Sequence, residues 1–424
     1  MKKKISNFKF QISNYVKHPL FSGSAVMIVG TNFANFLAYL YHLVLARMLG
    51  PSAYSELAAA LAALSLFSTA FVFLGMVVVK FVSSAKNEEK GILYKWLTQK
   101  SLKLGIVMVV ILGLASPLIS NFLRLPLKTS ILVGPTLFFF LLSFLFRSFL
   151  QGLLKFGSTV LLTIVDIGSR LVLGMTFVYL GFSAFGATFA IFLGAFFSSM
   201  MGLYLLREFR LDKTKKEFKD SKKVLKYALP IIIVSIANNS FISSDVILAK
   251  HYFIPHIAGI YASLSTLGKI IFYGTAPVAS VMFPMISKRY SEGKNYQKIL
   301  MLSLIITAGL AFSVLGLYAF FPVLMVKVLF GSGFLEAASN LVWFGLFMTF
   351  YTLANVLISF YLSIERTRIV AFPVIFALFQ VVGIIFYHGS IINIIQISTL
   401  SALFLLISLL IYFYYDKRRN YAKL

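Results

Sequence analysis

The chain contains no cysteine. This absence excludes disulfide bonds, metal sites built on thiolates and enzymes that use a thiol nucleophile. Charged residues are also scarce: they make up 12% of the 424 residues, whereas soluble domains have nearer a quarter. Only 13 residues are acidic, against 39 Lys and Arg, so a site that needs several carboxylates has few residues to draw on.

Long apolar runs are what the chain has instead. Hydrophobic residues make up 59% of it, and 45 residues are Phe. Segments long enough to cross a hydrocarbon core of about 30 Å as helices recur along the whole chain. The sequence therefore predicts an all-α polytopic membrane protein of about twelve transmembrane helices. The predicted spans lie near residues 20–45, 54–79, 104–123, 131–150, 158–180, 184–206, 228–249, 258–286, 299–321, 338–362, 369–388 and 393–415.

The net charge of +26 is explained by the side of the membrane on which the cations lie. If alternate loops share a side, most Lys and Arg fall on the side of the N-terminus. Those on the opposite side are Arg47, Arg124, Lys128, Lys250 and Lys327. This asymmetry follows the positive-inside rule, so both termini are predicted to lie in the cytoplasm. The predicted location of the protein is the cytoplasmic membrane. Anionic lipid balances such basic loops, and no nucleic-acid partner is required.

Internal similarity predicts two lobes of six helices each. The matching pairs are Ala34-Asn35 with Ala237-Asn238 and Leu45-Ala46-Arg47 with Leu248-Ala249-Lys250. Transporters built from parallel repeats place the substrate site between the lobes. The predicted organisation is an interfacial cytoplasmic segment at 1–19, lobes at 20–206 and 228–415, a basic cytoplasmic linker at 207–227 and a basic tail at 416–424.

Three ionisable residues are predicted near the middle of the membrane, where a charge costs at least about 2.5 kcal/mol. Asp166 and Arg170 are four residues apart in the fifth span, hence on one helix face. They form either a structural ion pair, or a pair in which Arg170 binds an anionic substrate and Asp166 holds it or takes up a proton. Lys269, in the eighth span, either pairs with a polar group on a neighbouring helix or binds an anion.

Further candidates lie at equivalent positions of the two lobes. Arg47 and Lys250 are predicted at the outer ends of their spans, where they either extend to the interface or line the outer mouth of a cavity that binds anions. Asp245, one turn before Lys250, either neutralises that outer charge or couples transport to protons. Asn35 and Asn238 are predicted cavity residues, or donors to interhelical hydrogen bonds.

Sequence signatures of catalysis are missing. The chain has no glycine-rich phosphate loop before Lys-Ser or Lys-Thr and no His-Glu-x-x-His. His251 and His256 have a spacing that suits no common zinc motif. The outer loops carry only Glu56 and Glu336 as acids, which disfavours a membrane glycosyltransferase. The sequence predicts a transporter with no cofactor and no metal.

Three segments resemble a known family. LARMLGPSAYSELAAALAALSLFSTAFVFLG (Leu45 to Gly75), FLQGLLKFGS after the fourth span and VLFGSGFLEAASNLVWFGL (Val328 to Leu346) resemble polysaccharide-biosynthesis flippases. These form the oligosaccharidyl-lipid branch of the multidrug/oligosaccharidyl-lipid/polysaccharide (MOP) transporter superfamily. The resemblance implies a MATE-like fold of twelve helices, with two pseudo-symmetric lobes that open alternately to either side of the membrane.

The resemblance also implies a cargo. It is an undecaprenyl-pyrophosphate-linked oligosaccharide for cell-surface polysaccharide, whose pyrophosphate would contact cationic cavity residues such as Arg170 and Lys269. The expected partners are this substrate, membrane lipid and a polysaccharide polymerase or assembly proteins, with the protein functional as a monomer. A cation-coupled multidrug exporter of the same fold is the alternative. A site for cationic drugs favours acidic residues in the cavity. Here Asp166 and Asp245 are the acidic candidates, against the basic candidates Arg170 and Lys269, and the balance of charge is basic.

Overall fold

The computed structural model describes residues 19–210 and 221–421, which fold as helices joined by short connections. The α-helices are α1 (Pro19–Ser84), α2 (Asn87–Leu114), α3 (Ser116–Leu123), α4 (Leu127–Gly152), α5 (Phe156–Tyr179), α6 (Ser183–Leu205), α7 (Arg207–Arg210), α8 (Ser221–Tyr252), α9 (Pro255–Ser291), α10 (Gln297–Phe320), α11 (Pro322–Leu329), α12 (Leu341–Ser363), α13 (Ala371–Phe386) and α14 (Ile391–Tyr421). Two 3₁₀ helices lie at Ser332–Asn340 and Thr367–Val370. The predicted interfacial helix at 1–19, the centre of the linker and the end of the tail fall largely outside the described residues.

The helix α1 has a break that separates the first two predicted spans. Gly50 has φ 69° and ψ 173°, a conformation outside the helical region. A residue with a side chain rarely adopts a positive φ, so glycine suits this position. Pro51 follows, and its missing N–H costs nothing where a helix restarts. The LGP sequence therefore bends the chain between the predicted spans at 20–45 and 54–79.

Nine helices within the described residues are long and apolar enough to cross a membrane. The helix α1, with its break at Gly50, counts as one of them. The helix α13, with 16 residues, is apolar but too short to be among the nine. The all-α polytopic fold is confirmed, and the number twelve stays a prediction.

The helices form two compact units. The first unit comprises residues up to Met48, Phe67–Asn121 and Leu125–Ile232. The second comprises Leu49–Leu66, Phe122–Arg124 and the chain from Ile233 onward. The second unit thus includes short segments that the sequence assigned to the first lobe. The predicted lobe boundaries stay predictions.

In the first unit, small hydroxyl side chains let α4, α5 and α6 pack closely. Ser143 and Ser198 share a hydrogen bond of 2.7 Å, and Ser198 also donates to the carbonyl oxygen of Leu162 at 2.9 Å. Ser199 donates to the carbonyl oxygen of Phe139 at 2.9 Å. In hydrocarbon these bonds and close packing hold helices together, because apolar side chains gain little by leaving lipid for protein.

In the second unit, buried tyrosines form the hydrogen bonds between helices. The Tyr318 hydroxyl donates to the carbonyl oxygen of Leu267 at 2.7 Å, which joins α10 to α9. The Tyr351 hydroxyl donates to the carbonyl oxygen of Asn238 at 2.7 Å, which joins α12 to α8. A buried phenol hydroxyl needs such a partner, and these bonds therefore specify which helices are neighbours.

Candidate functional site

A cluster of three charged side chains lies in the first unit, on α4 and α5. The Arg170 Nε donates to Asp166 Oδ1 at 2.8 Å, and its Nη2 donates to Asp166 Oδ2 at 2.7 Å. The Arg147 Nη2 donates to Asp166 Oδ2 at 3.3 Å. One carboxylate is thus shared by two guanidinium groups. We call Arg147, Asp166 and Arg170 the arginine cluster.

The position of the arginine cluster explains why its charges must be paired. Asp166 is the eleventh residue of α5, about 15 Å along the axis from the start of that helix. Its side chain is 2% exposed, and those of Arg147 and Arg170 are 14% and 17% exposed. A carboxylate at such depth is retained only with partners, which the two arginines supply.

Aromatic rings and a serine hold the arginines in place. The Arg147 guanidinium lies 4.7 Å from the centre of the Phe144 ring, and that of Arg170 lies 4.8 Å from the centre of the Phe140 ring. The quadrupole of each ring attracts the cation. Arg147 also donates to the hydroxyl and the carbonyl oxygen of Ser143, at 2.9 and 3.3 Å. The arginine side chains are therefore preorganised by residues of α4.

Gly194 of α6 allows the third helix to cover the cluster. A Cβ atom at this position would lie 2.6 Å from the backbone oxygen of Asp166 and 2.7 Å from Cγ of Arg170. Both distances are below those of ordinary contacts, so only glycine permits this approach of α6 to α5. The glycine is as much a part of the site as the charged residues.

The arginine cluster carries a net charge of one positive unit when all three groups are ionised. Its two guanidinium groups have donors in planar forks, a geometry that suits carboxylate or phosphate oxygens. A single carboxylate satisfies only part of their hydrogen-bonding capacity. The cluster can therefore bind an anion in addition to Asp166 or in place of it.

The other predicted midplane cation, Lys269, lies on α9 in the second unit. Its charge acts on Asp245 of α8, a residue with no exposed surface. The Tyr261 hydroxyl donates to Asp245 Oδ2 at 2.9 Å. Asp245 Oδ1 is buried and has no hydrogen-bond partner among the described residues. The charge interaction at Asp245 therefore involves the midplane cation, not only the outer end of its own helix.

Buried polar side chains extend this second set of residues. Tyr261 of α9 and Ser398 of α14 are neighbours among them. The Gln380 amide of α13 donates to the Ser398 hydroxyl at 2.9 Å. The three side chains have no exposed surface. The hydrogen bond between Gln380 and Ser398 helps to fix the relative positions of α13 and α14.

Arg47 and Lys250 have different environments although the repeat places them at equivalent positions. Arg47 is exposed, on the last turns before the break at Gly50. Lys250 is 2% exposed, and its ammonium donates to the Ser55 hydroxyl at 2.8 Å. Interfacial extension of the side chain therefore does not describe Lys250, which is bonded inside the second unit.

The two predicted cavity asparagines also differ. Asn35 is exposed, and Asn238 is half-buried. The Asn238 side-chain oxygen has no hydrogen-bond partner among the described residues, whereas its backbone oxygen accepts from Tyr351. The neighbouring Asn239 makes the interhelical bond instead, by donating to the Ser65 hydroxyl at 3.0 Å. The predicted type of interaction is present one residue further along.

Arg147 is the residue that sequence reasoning missed. It lies within the predicted fourth span but only three residues from its end, where an arginine ordinarily extends to the interface. Its neighbours on both sides are Phe and Ser in SFLFRSFL. The serine four residues earlier, which becomes its hydrogen-bond partner, is the signal that the sequence offered.

Comparisons with known proteins agree with this architecture. The sequence model of the family described as polysaccharide biosynthesis protein matches residues 20–290. An uncharacterized membrane protein of Methanocaldococcus jannaschii is 25% identical over 359 residues, which cover 78% of this chain and 83% of that protein.

Two solved structures share the fold. One is an inward-facing MATE family multidrug resistance transporter of the MOP superfamily, with a TM-score of 0.75 and 15% identity over 93% of this chain and 98% of that one. The other is the lipid II flippase MurJ in an inward closed conformation, with a TM-score of 0.73 and 19% identity over 92% and 87% of the two chains. The chain therefore belongs to the polysaccharide biosynthesis protein family and has the fold of the MOP-superfamily transporters.

Proposed function

We propose that this protein is a flippase that moves an undecaprenyl-pyrophosphate-linked oligosaccharide across the cytoplasmic membrane by alternating access. The observation that carries the proposal is the arginine cluster, a net-positive group of largely buried side chains on two helices that are long and apolar enough to cross a membrane. A pyrophosphate crossing the membrane needs cations that replace its hydration. Family membership supports a substrate related to polysaccharide biosynthesis.

The cluster suggests how the pyrophosphate is bound and released. Without cargo, Asp166 serves as the internal anion of both arginines. Arg147 reaches Asp166 at 3.3 Å, against 2.7 and 2.8 Å for the two bonds from Arg170. Arg147 is therefore the guanidinium that exchanges the carboxylate for a pyrophosphate oxygen first. Asp166 retains Arg170 and competes for Arg147, which keeps binding reversible.

Roles for the remaining candidates follow from their environments. We assign Lys269 as an anion contact of the second unit, with Asp245 as its counter-charge, in a cycle in which Asp166 or Asp245 takes up protons. Arg47, exposed near the predicted outer end of its span, is assigned to product release. Lys250 is buried and bonded to Ser55, so we assign it to structural support. The protein is proposed to act as a monomer, beside a polysaccharide polymerase or assembly proteins.

A cation-coupled multidrug exporter is the second candidate. The fold similarity to a MATE family multidrug resistance transporter favours it as much as the similarity to MurJ favours a flippase. A site for cationic drugs needs a carboxylate that is not already paired with cations. Asp166 accepts hydrogen bonds from two arginines, and this argues for an anionic cargo.

Flipping in proteoliposomes tests the proposal. Purified protein is reconstituted with fluorescent undecaprenyl-pyrophosphate oligosaccharide, and transport is followed by the access of an added glycosidase. We expect transport by the wild type and loss of it in Arg170→Ala and Lys269→Ala. Lys155→Ala is the control, because Lys155 pairs with Glu208 outside the cluster and both side chains are about half exposed.

Arg170→Lys separates binding from folding, because it keeps a cation beside Asp166. Each variant is also compared with the wild type in melting temperature and in the amount inserted. Normal flipping by both alanine variants would contradict the anion site. Movement of a labelled cationic dye without movement of the lipid-linked oligosaccharide would favour the multidrug exporter.

A further inference from the structure

The end of α9 forms a basic pocket that the transport proposal does not use. Its lining residues are Met285, Lys288, Arg289, Glu292, Lys294 and Asn295, and we call it the Lys288 pocket. The cavity has a volume of about 520 Å³. It lies wholly within the second unit.

The pocket is formed because the chain turns back at the end of α9. The backbone N–H of Lys294 donates to the carbonyl oxygen of Arg289 at 2.8 Å, and that of Gly293 donates to Tyr290 at 3.1 Å. The Arg289 Nη1 donates to the carbonyl oxygen of Asn295 at 3.0 Å. The two backbone bonds satisfy carbonyl groups in the last turn of the helix, which would otherwise repel an anion. The cations are left as the dominant charges of the pocket.

The charges of the pocket do not balance. The Lys294 ammonium lies 2.8 Å from Glu292 Oε2, so these two groups neutralise each other. Lys288 and Arg289 are exposed, and neither has a salt-bridge partner among the residues that the structure describes. Two positive charges therefore remain beside a cavity that is large enough for a phosphate and its attached glycerol. An anion is the ligand that this arrangement suits.

The surface next to the pocket is apolar. Val281, Met285 and Lys288 follow one another at spacings of four and three residues, hence along one face of α9. Val281 is 59% exposed and Met285 is 47% exposed. This face therefore changes from apolar to basic toward the end of the helix. A phospholipid at a membrane interface has the same order, with its acyl chains followed by its phosphate.

The predicted position of the pocket on the cytoplasmic side of the membrane also fits a bound phospholipid. Among the predicted spans, the connection between the eighth and ninth lies on the side that holds most Lys and Arg, the predicted cytoplasmic side. Anionic phospholipid on that side attracts basic residues near the membrane surface.

We propose that the Lys288 pocket binds the phosphate of an anionic phospholipid, with Lys288 and Arg289 as its contacts. The first carbons of an acyl chain lie along Met285 and Val281. The bound lipid thereby ties the end of α9 to one leaflet. This site is independent of the cargo, because none of its residues belongs to the arginine cluster.

Binding of short-chain lipids to the detergent-solubilised full-length protein, measured by native mass spectrometry, tests the site. The probes are dioctanoyl phosphatidylglycerol, dioctanoyl phosphatidylcholine and glycerol 3-phosphate. The variants are Lys288→Gln/Arg289→Gln for the phosphate and Val281→Asn/Met285→Asn for the acyl chain. The matched control is Lys95→Gln/Lys103→Gln, which removes two exposed cations from α2.

We expect the wild type and the control to bind phosphatidylglycerol more tightly than phosphatidylcholine. The Lys288/Arg289 variant should lose at least about tenfold of that preference while it keeps its melting temperature. The Val281/Met285 variant should bind both lipids more weakly. Unchanged phosphatidylglycerol binding in the Lys288/Arg289 variant would overturn the proposal.

Two other results would also overturn it. If glycerol 3-phosphate binds as tightly as phosphatidylglycerol, the acyl chain contributes nothing and the pocket is a site for free phosphate esters. If undecaprenyl pyrophosphate at equal concentration displaces phosphatidylglycerol from the wild type, the pocket belongs to the cargo. This outcome leaves flipping itself untouched, because flipping is measured separately.

Discussion

Arg170 donates two hydrogen bonds to the carboxylate of Asp166, one to each oxygen, at 2.8 and 2.7 Å. The two residues lie one turn apart on α5, so the pair forms within a single helix. Arg147 reaches the same carboxylate from α4. A pair that is internal to one helix persists when neighbouring helices move, whereas a contact between helices depends on their packing. The Asp166–Arg170 pair is therefore internal to α5, whereas the contact of Arg147 with Asp166 depends on how α4 packs against α5.

Replacing Asp166 with Asn should destabilise the protein strongly. The substitution keeps the shape of the side chain but removes the charge that compensates both arginines. Breaking a buried ion pair on one side costs roughly 3 kcal/mol or more, because the remaining charge is buried without a partner. We expect a clear fall in the melting temperature of the purified protein, together with loss of flipping.

An exposed ion pair of the same unit provides the comparison for Asp166→Asn. Lys155 and Glu208 lie 2.8 Å apart with side chains 46% and 59% exposed. Solvent screens such a pair, and its loss costs at most about 1 kcal/mol. Glu208→Gln should therefore melt close to the wild type. Equal melting temperatures for Asp166→Asn and Glu208→Gln would show that the arginines do not depend on Asp166.

Replacing Gly194 with Ala tests the close approach of α6 to the arginine cluster. The added methyl group would lie 2.6 Å from the Asp166 backbone and 2.7 Å from Arg170 Cγ, so α6 or Arg170 must shift. Overpacking of this kind costs about 1–3 kcal/mol. We expect a lower melting temperature and weaker flipping, measured on the same preparation.

Gly168, on the same helix as Asp166, supplies a control in which alanine should not lower the melting temperature. A Cβ atom there meets nothing within 4 Å. Alanine is preferred to glycine inside a helix by about 1 kcal/mol, so Gly168→Ala should not lower the melting temperature. If Gly194→Ala, like Gly168→Ala, does not lower the melting temperature, the close approach of α6 to the cluster does not require glycine at position 194.

The Asp166–Arg170 pair was predictable from the sequence, whereas its third member was not. A spacing of four residues inside a long apolar segment defines a shared helix face without knowledge of the fold. The contact of Arg147 with Asp166 depends instead on how α4 packs against α5. Ser143 of α4 bonds to Ser198 of α6, which in turn donates to the carbonyl oxygen of Leu162 in α5, and nothing in the sequence assigns these residues to one another.

The internal repeat likewise did not predict which residues are in contact. It identified Arg47 and Lys250 as equivalent positions, but burial depends on the local partners. Lys250 has Ser55 within 2.8 Å and is buried, whereas Arg47 is exposed. Asp245 and Tyr261 likewise come from different helices, and the sequence contained no pattern that joins them. The length of the apolar segments therefore predicted an all-α membrane fold, but it did not predict which side chains meet between helices.

Replacing Tyr261 with Phe should weaken the second unit. The hydroxyl group donates to Asp245 Oδ2, and Asp245 Oδ1 already has no hydrogen-bond partner among the described residues. Loss of a bond to a buried carboxylate costs about 1–3 kcal/mol. We expect a lower melting temperature for Tyr261→Phe. Tyr273→Phe on the same helix is the control, because Tyr273 is 58% exposed and should tolerate the change.

Flipping with variants of Arg147 decides whether this residue binds cargo or only supports the fold. Lysine keeps the charge but loses the planar fork, and it cannot reproduce the bonds to Asp166 and Ser143 together. If Arg147 binds pyrophosphate, Arg147→Lys should retain part of the flipping rate and Arg147→Gln should lose most of it, at matched amounts of folded protein. Arg207→Gln, which removes an exposed cation stacked on Tyr204, should flip normally. If Arg147→Gln melts earlier but flips at the wild-type rate per folded molecule, Arg147 is a structural partner of Asp166, and the pyrophosphate is bound without it.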